Sequence, residues 1–291
     1  MGLRAATKRD QRKVAVVTGA NQGLGFALVE GLARRLAHGD VVYLTGRDRA
    51  RVDDARRHIS GARADVHARV VDVGDAASLA TFASEIDASH GGLDIVISNH
   101  YQRVVPEEAP ADVISRYVNI NNLGTTRVLR AASPRLRRGG RLLVIASSLG
   151  ALHELPERLW ERFDTDTMDL DDIDAAVRRW RDAVVEGRAE SEGWPQFINI
   201  PSKVAQVAAV RVLARERRSA DRPDGAFLAA VCPGMIDTGA SRPWFDMSGA
   251  QTPDQAAVAV LRLALDPDLD PALYGELVRF GKALPWNRSS S

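Results

Sequence analysis

The chain has 291 residues, of which 26% are charged, and a formal net charge of +1. This balance provides no basic field for nucleic acid or a membrane surface, and no apolar run reaches the roughly 18 residues of a spanning helix. Cys232 is the only cysteine, so an internal disulfide framework is excluded and a reduced, cytoplasmic protein is expected.

The chain alternates apolar strand patterns with helical ones. Residues 1–12 are basic and polar without the apolar core of a secretory signal, and we predict a disordered arm there, followed by one domain over 13–286. Strand patterns occur at 14–18, 41–45, 68–73, 95–98, 142–146, 226–232 and 276–280, and helical spacing at 26–36 and near 75–89, 110–136 and 201–218. The alternation predicts an α/β fold with a single doubly wound, Rossmann-type parallel sheet and helices on both faces.

A long irregular stretch, 149–198, interrupts this alternation. It exceeds a simple connection between a strand and a helix. Its segment 171–185 has acids in the first turn and arginines later, as the helix dipole favours. We therefore predict a helical insertion ahead of the helix near 201–218. The acids between 164 and 171 lack the spacing of a calcium loop and are read as solvated acids at a helix start.

A glycine-rich turn, TGANQGLG at 18–25, follows the first strand and opens the first helix. Glycines there allow a tight turn and a close approach of backbone N–H groups to a pyrophosphate. Taken alone, the motif also fits an ordinary glycine-rich turn. Its spacing differs from GxGxxG and resembles the TGxxxGxG of the short-chain dehydrogenase/reductase family.

Further landmarks of that family follow in the same order, from about residue 13 to 286. They are Asp72-Val73, Asn99 within SNHY at 98–101 (where the family has NNAG), Asn121, Ser148, Lys203, and Pro233-Gly234 with Thr238. The resemblance implies cofactor contacts from Gly19, Asn21, Gln22, Gly23, Leu24, Gly25, Asp72, Val73, Asn99, Lys203, Pro233, Gly234 and Thr238. It also implies that Ser148 and Lys203 are catalytic, and that Asn121 anchors a water in a proton relay.

Within the family, the chain resembles the monomeric carbonyl reductases. The resemblance rests on Glu192-Gly193-Trp194-Pro195 and on the insertion, which sets Asn199 51 residues after Ser148. It implies a helix over the surface that other members use to dimerise, and hence a monomer.

Arg47 bears on the choice of cofactor. It follows the second predicted strand in Thr45-Gly46-Arg47-Asp48, where NAD-specific sites usually carry an acid. An arginine accommodates the 2′-phosphate, so NADP(H) is favoured. The alternative is a solvated loop arginine.

Asn199 is the principal departure from the family pattern. It stands four residues before Lys203, where the family has the tyrosine that protonates the carbonyl oxygen. An amide donates hydrogen bonds but releases no proton. Asn199 precedes Ile200-Pro201, which suits a helix N-cap. Its amide could equally orient a substrate oxygen alongside Ser148. The two roles are compatible, and both remain open.

Three side chains are candidates for the missing proton donor: Tyr101, His100 and His153, all on loops after strands. For each, a place in the pocket wall or on the surface is the alternative. Trp194 is a further candidate for the substrate pocket. The six histidines and one cysteine show no metal-ligand spacing, so no metal site is predicted.

The missing tyrosine also bears on the substrate. A positioned general acid contributes about 10²–10⁴ in rate, and a simple ketone would lose all of it. A quinone accepts hydride to give a delocalised phenolate that needs no immediate proton. We therefore predict an NADPH-dependent reductase of quinones or polycyclic aromatic carbonyls. Its setting would be bacterial aromatic-polyketide metabolism, with a downstream enzyme to consume the reduced product. The alternative is a non-redox cyclase, rearrangement enzyme or ligand-binding protein that uses NADP(H) structurally.

Overall fold

The sheet has eight strands, in the order β3-β2-β1-β4-β5-β6-β7-β8. The computed structural model describes residues 12–287, so the predicted arm lies outside the described residues except for Arg12. The strands are β1 (Val14–Val17), β2 (Val41–Gly46), β3 (Asp65–Val70), β4 (Leu93–Ser98), β5 (Leu136–Ile145), β6 (Phe227–Cys232), β7 (Leu277–Arg279) and β8 (Lys282–Leu284). The first seven pair in parallel, which confirms the predicted α/β sheet.

Nine α-helices surround this sheet in the described part of the chain. They are α1 (Gly23–Arg35), α2 (Arg49–His58), α3 (Ala76–His90), α4 (Pro110–Val118), α5 (Gly124–Ala132), α6 (Leu170–Val185), α7 (Ala189–Glu192), α8 (Asn199–Asp224) and α9 (Pro253–Leu265). A π-helical turn, Asn119–Leu123, joins α4 to α5. Strands β1, β2 and β6 are buried along their whole length, as expected of parallel strands covered on both faces.

Two elements depart from the predicted pattern. The antiparallel strand β8 was not predicted; a tight turn at Phe280 (φ 48°) and Gly281 (φ 77°) folds it back on β7. Strand β3 begins and ends three residues before the predicted 68–73. The apolar side chains of Val71 and Val73 suggested a strand there, yet they are buried in the loop that leaves the sheet.

Helix α6 confirms the helical insertion. Asp169 and Asp172 form a capping box at its start. The helix packs against α4 and α8. The buried Asp174 of α6 accepts hydrogen bonds from Thr126 (2.6 Å) and Arg130 (2.9 Å) of α5. The insertion therefore lies over helices α4, α5 and α8, and the resemblance implies that its helix covers the surface that other members use to dimerise. Between residues 12 and 287, no helix is both long and apolar enough to cross a membrane.

This packing leads to an expectation about assembly. Because α6 covers that surface with a buried, charge-assisted contact, we expect the purified protein to be a monomer with the 31.6 kDa mass of one chain. Light scattering at micromolar concentration would measure this. A mass of two or four chains would contradict it, and would mean that the insertion builds an interface.

Candidate active site

The glycine turn lies at the carboxyl end of the sheet and packs tightly against the segment after β4. Gly19 has φ 60°, and a Cβ there would lie 2.6 Å from the Cα of His100. A Cβ on Gly25 would lie 2.5 Å from both the side-chain nitrogen of Asn99 and the carbonyl oxygen of Gly19. The Asn99 amide donates to the carbonyls of Thr18 (3.2 Å) and Gly19 (3.1 Å). Glycine is thus required for this geometry, and Asn99 holds the turn in place.

A cleft of about 620 Å³ opens beside this turn. It is lined by eleven of the predicted cofactor residues: Gly19, Asn21, Gln22, Gly23, Leu24, Gly25, Arg47, Asp72, Val73, Asn99 and Thr238. Pro233 and Gly234 lie outside this lining, on the loop that leads to Thr238. There the Gln251 amide donates to the Pro233 carbonyl at 3.0 Å. The glycine cradle at the N-terminus of α1 fits the pyrophosphate of a dinucleotide.

Two arginines reach the same end of the cleft. Arg47 is exposed, and its guanidinium lies 3.5 Å from the Gln102 side-chain oxygen. Arg51, which the sequence analysis missed, donates to the Gln22 side chain at 2.5 Å, and its guanidinium lies beside the Asn21 carboxamide. Asp48 caps α2 by accepting from the Arg51 backbone N–H. The sequence did indicate Arg51, because it lies about one helical turn after Arg47 and in the first turn of a helix capped by Asp48.

Asn199 is the first residue of α8, and its predicted role as N-cap is wrong. The N-cap is Ile198, which is already in the right-handed helical region (φ −59°, ψ −16°), and no side chain caps the helix. Instead, the side-chain oxygen of Asn199 accepts hydrogen bonds from the hydroxyls of Tyr101 (3.0 Å) and Tyr117. Tertiary contacts across the site therefore occupy the oxygen that a cap would use.

The two tyrosines are hydrogen-bond donors because both stay protonated. Burial raises the pKa of Tyr101 and raises that of Tyr117 well above its ordinary value. Their rings pack edge to face with centroids 6.1 Å apart. With its oxygen held by two hydroxyls, the Asn199 carboxamide turns its NH2 group away from them. That group has no hydrogen-bond partner among residues 12–287, so it can donate to a ligand.

Lys203 lies one turn further along α8, next to Tyr101. Its ammonium donates to the side-chain oxygen of Gln206 at 2.8 Å and to the Ile145 carbonyl at 3.4 Å. It also lies 5.5 Å from the centroid of the Tyr101 ring. Burial lowers the Lys203 pKa to about 8. Gln206 is a second site residue that the sequence analysis did not identify.

Asn121 lies in the π-helical turn between α4 and α5. Its side-chain oxygen accepts from the Gln102 backbone N–H at 2.7 Å. Its backbone carbonyl accepts from the Gln206 side chain and the Thr125 hydroxyl, each at 2.8 Å. Gln206 thus connects Asn121 to Lys203, because its side chain hydrogen-bonds to both residues.

Ser148 begins a short 3₁₀ turn, Ser148–Gly150, after β5. The hydroxyl of Ser147 accepts from the Leu149 N–H at 3.3 Å and caps this turn. The Ser148 hydroxyl is exposed and has no hydrogen-bond partner in the described part of the chain. The turn packs on α8, since a Cβ on Gly150 would lie 2.9 Å from the Lys203 carbonyl oxygen. Ser148 is therefore held beside the active-site helix with a free hydroxyl.

Of the three candidate proton donors, only Tyr101 contacts Asn199. The His100 ring is buried under the glycine turn, with Nδ1 2.9 Å from the Thr18 hydroxyl, and burial lowers its pKa to about 3. A ring held neutral in this way is a poor general acid, and His100 lines the cleft, which favours the alternative of a place in the pocket wall. His153 faces Glu154 at 3.8 Å and, in the described part of the chain, forms no hydrogen bond or ion pair with Asn199 or Lys203.

The prediction that Trp194 lines the substrate pocket is also wrong. Trp194 is buried and packs against Phe163 and Trp180, with ring centroids 6.4 Å and 6.0 Å away. Its place is the buried core of the insertion itself. Among residues 12–287, no three histidine, cysteine, aspartate or glutamate side chains group as metal ligands.

Comparison with known proteins identifies the family. The short chain dehydrogenase family model matches residues 13–157. Carbonyl reductase (NADPH) 3 of Rattus norvegicus is 30% identical over 278 residues, which cover 94% of this chain and 98% of that protein. The chain belongs to the short chain dehydrogenase family. Carbonyl reductase (NADPH) 1 of Rattus norvegicus is 28% identical over 279 residues, covering 94% of this chain and 99% of its own length.

Solved structures agree with this assignment. Salutaridine reductase from Papaver somniferum is 25% identical with a TM-score of 0.77, covering 91% of this chain and 99% of its own. Menthone neomenthol reductase from Mentha piperita, at 22% identity, shares the fold with a TM-score of 0.74 over 94% of this chain and 100% of its own. The predicted resemblance to the carbonyl reductases is confirmed.

Proposed function

We propose that this short chain dehydrogenase is an NADPH-dependent reductase that transfers hydride to a quinone or polycyclic aromatic carbonyl. The observation that carries the proposal is the Asn199 carboxamide, whose oxygen is bound by two tyrosine hydroxyls. This arrangement offers the substrate a hydrogen bond from an amide that cannot ionise. The broader part of the proposal, that the chain is an NADPH-dependent oxidoreductase, rests on the family and on the similarity to the carbonyl reductases.

The cofactor is NADP(H). The carbonyl reductases that the chain resembles are named as NADPH enzymes. Arg47 and Arg51 lie together at the end of the cleft that follows β2, where a 2′-phosphate is expected. The guanidinium of Arg51 donates at 2.5 Å to the side chain of Gln22, which lines the same cleft.

The chain's own residues would stabilise the oxygen of the substrate. The bound cofactor supplies the hydride. As negative charge develops on the substrate oxygen, the exposed hydroxyl of Ser148 and the NH2 group of Asn199 donate hydrogen bonds to it. Lys203 adds positive charge beside them. For a quinone this suffices, because its ring delocalises the charge that a simple ketone would concentrate on one alkoxide oxygen.

An aromatic cluster next to the site supports a flat substrate. Phe197 lies two residues before Asn199, and its ring is 5.1 Å from that of Trp244 and 6.1 Å from that of Phe245. The indole N–H of Trp244 donates to the Val104 carbonyl, which fixes the loop after β6 to the loop after β4. Phe245 is 40% exposed. Rigid aromatic faces of this kind favour stacking on a polycyclic ring.

The biological setting is proposed from the composition of the chain. The arginine- and alanine-rich composition suggests a GC-rich bacterial genome, in which aromatic polyketides supply polycyclic quinones. Hydroquinones are readily reoxidised by air, so a downstream enzyme is expected to consume the product.

The test is a substrate panel, followed through the loss of NADPH absorbance. We expect turnover with naphtho- and anthraquinones, and rates lower by about 10² or more with simple aliphatic ketones that need a general acid. Ser148→Ala should reduce quinone turnover, while Ser84→Ala, on the exposed face of α3, should not. Preferential reduction of aliphatic ketones would overturn the quinone assignment. NADPH binding without oxidation by any member of the panel would favour the non-redox alternative.

A further inference from the structure

We propose that Gln206 is a positioning residue that holds Lys203 in place for cofactor binding, through a carboxamide bridge to the backbone carbonyl of Asn121. The proposal rests on the NADP(H) part of the proposed function and is independent of the quinone substrate. It assigns a role to a buried polar side chain on an otherwise apolar part of α8.

The Gln206 carboxamide makes three hydrogen bonds. Its side chain is buried, and its oxygen accepts from the Lys203 ammonium at 2.8 Å. Its NH2 group donates to the Asn121 carbonyl at 2.8 Å and to the Thr125 hydroxyl at 3.0 Å. Three of the four hydrogen-bonding positions of the carboxamide are thus occupied, which leaves it a single orientation. The bridge joins α8 to the π-helical turn.

No carboxylate competes for the Lys203 ammonium in the described part of the chain. The ionisable groups that face it are Cys232 from β6, and His100 and Tyr101 from the segment after β4. Burial raises the pKa of Tyr101, so its hydroxyl stays protonated, and burial lowers the pKa of His100, so its ring stays uncharged. The neutral amide of Gln206 is therefore the nearest acceptor, and it holds the ammonium without an opposing charge. That leaves the charge available to a bound cofactor.

Unlike a water molecule, the Gln206 bridge cannot relay a proton. A carboxamide donates and accepts hydrogen bonds but neither takes up nor releases a proton at neutral pH. The resemblance to the family implied that Asn121 anchors a water in a proton relay, and here the Gln206 side chain links Asn121 to Lys203. Lys203 is then a fixed charge whose direct link to Asn121 carries no proton. This fits a site that has no ionisable side chain at position 199.

The pH dependence of NADPH binding tests this role. Burial lowers the Lys203 pKa, so its charge is present below about pH 8 and is lost as the pH rises through that value. We expect the NADPH affinity of the unaltered protein to fall over the same range. The pH at which this fall is half complete is the midpoint. Gln206→Glu places a carboxylate beside the ammonium and should raise the midpoint by about one pH unit or more. Gln206→Leu removes the acceptor and should move the midpoint down.

Three controls make the result decisive. Lys203→Met should abolish the pH dependence that Gln206 tunes. Thermal melting of each variant checks folding, and if Gln206→Leu fails to fold, Gln206→Met replaces it with a flexible side chain of similar length. Midpoints that stay unchanged in folded Gln206 variants would overturn the inference, because a packing role would alter only the melting temperature. Unaltered protein that does not bind NADPH would instead overturn the cofactor assignment on which the inference rests.

Discussion

Arg47→Asp is expected to weaken NADPH binding by about 100-fold or more, a loss of a few kcal/mol. The substitution replaces a charge-assisted contact with the 2′-phosphate by electrostatic repulsion. Binding of NADH, which lacks that phosphate, should change much less. The structure extends the expectation to Arg51→Asp, because both guanidinium groups line the same end of the cleft. The ratio of the two dissociation constants, measured by fluorescence titration, is the quantity that decides.

Arg49 provides a matched control. It lies between the two arginines in sequence, at the start of α2, but its side chain is 67% exposed and pairs with Asp53 at 3.8 Å. Arg49→Asp introduces the same change of charge close to both arginines in sequence, yet Arg49 does not line the cleft. It should leave the ratio of NADPH to NADH affinity almost unchanged. Equal losses for both cofactors in Arg47→Asp would show that Arg47 does not bind the 2′-phosphate.

Asn199→Tyr is expected to lower quinone turnover by about tenfold or more, although it restores the residue type of the family. Position 199 is only 9% exposed, and the hydroxyls of Tyr101 and Tyr117 already fill the space around its side chain. A third tyrosine would be overpacked, which disturbs a buried site. Steady-state turnover with a quinone, compared with a simple ketone, measures the effect.

Asn199→Ala and a double variant separate crowding from chemistry. Asn199→Ala removes one hydrogen bond without crowding, so it should raise the barrier by only about 1–3 kcal/mol. Tyr101 stands where the family motif has glycine. Tyr101→Gly combined with Asn199→Tyr should therefore relieve the collision and add activity on simple ketones. If Asn199→Tyr alone raised quinone turnover by about tenfold, the missing proton would have been limiting throughout.

Tyr101→Phe addresses the remaining proton-donor candidate. It removes the hydroxyl and keeps the ring beside Lys203. Because that hydroxyl donates to Asn199, its loss should free the carboxamide to rotate and cause a modest decrease in quinone turnover. Complete loss of turnover, with NADPH affinity intact, would make Tyr101 the acid.

The fold could be predicted because its signals are local. Short β-branched runs separated by helical spacing identified seven of the eight strands, and the glycine turn identified the nucleotide end of the sheet. Strand β8 has only three residues and no buried stripe, so nothing in its sequence distinguished it from a loop. The insertion helix was predictable from its acids and arginines, which are again a local pattern.

The partners of the site residues were not predictable in the same way. Tyr101 and Tyr117 are 98 and 82 residues from Asn199, and only the packing of α4 and the loop after β4 against α8 brings them together. The capping prediction relied on the neighbours of Asn199 along the chain, and long-range hydrogen bonds outweighed it. Gln206 did carry a weak signal, a polar residue among Val204, Ala205, Val207 and Ala208, three positions after the lysine.

The central claim is that hydride reaches a quinone without simultaneous proton transfer from a side chain. The most direct measurement is the rate of a single turnover in H2O and in D2O, with NADPH deuterated at the transferred position as the reference. The account predicts that the deuterated cofactor slows the step, whereas D2O leaves its rate unchanged at matched points of the pH profile. A step slowed by D2O as well would show that a proton moves together with the hydride, and would contradict the account.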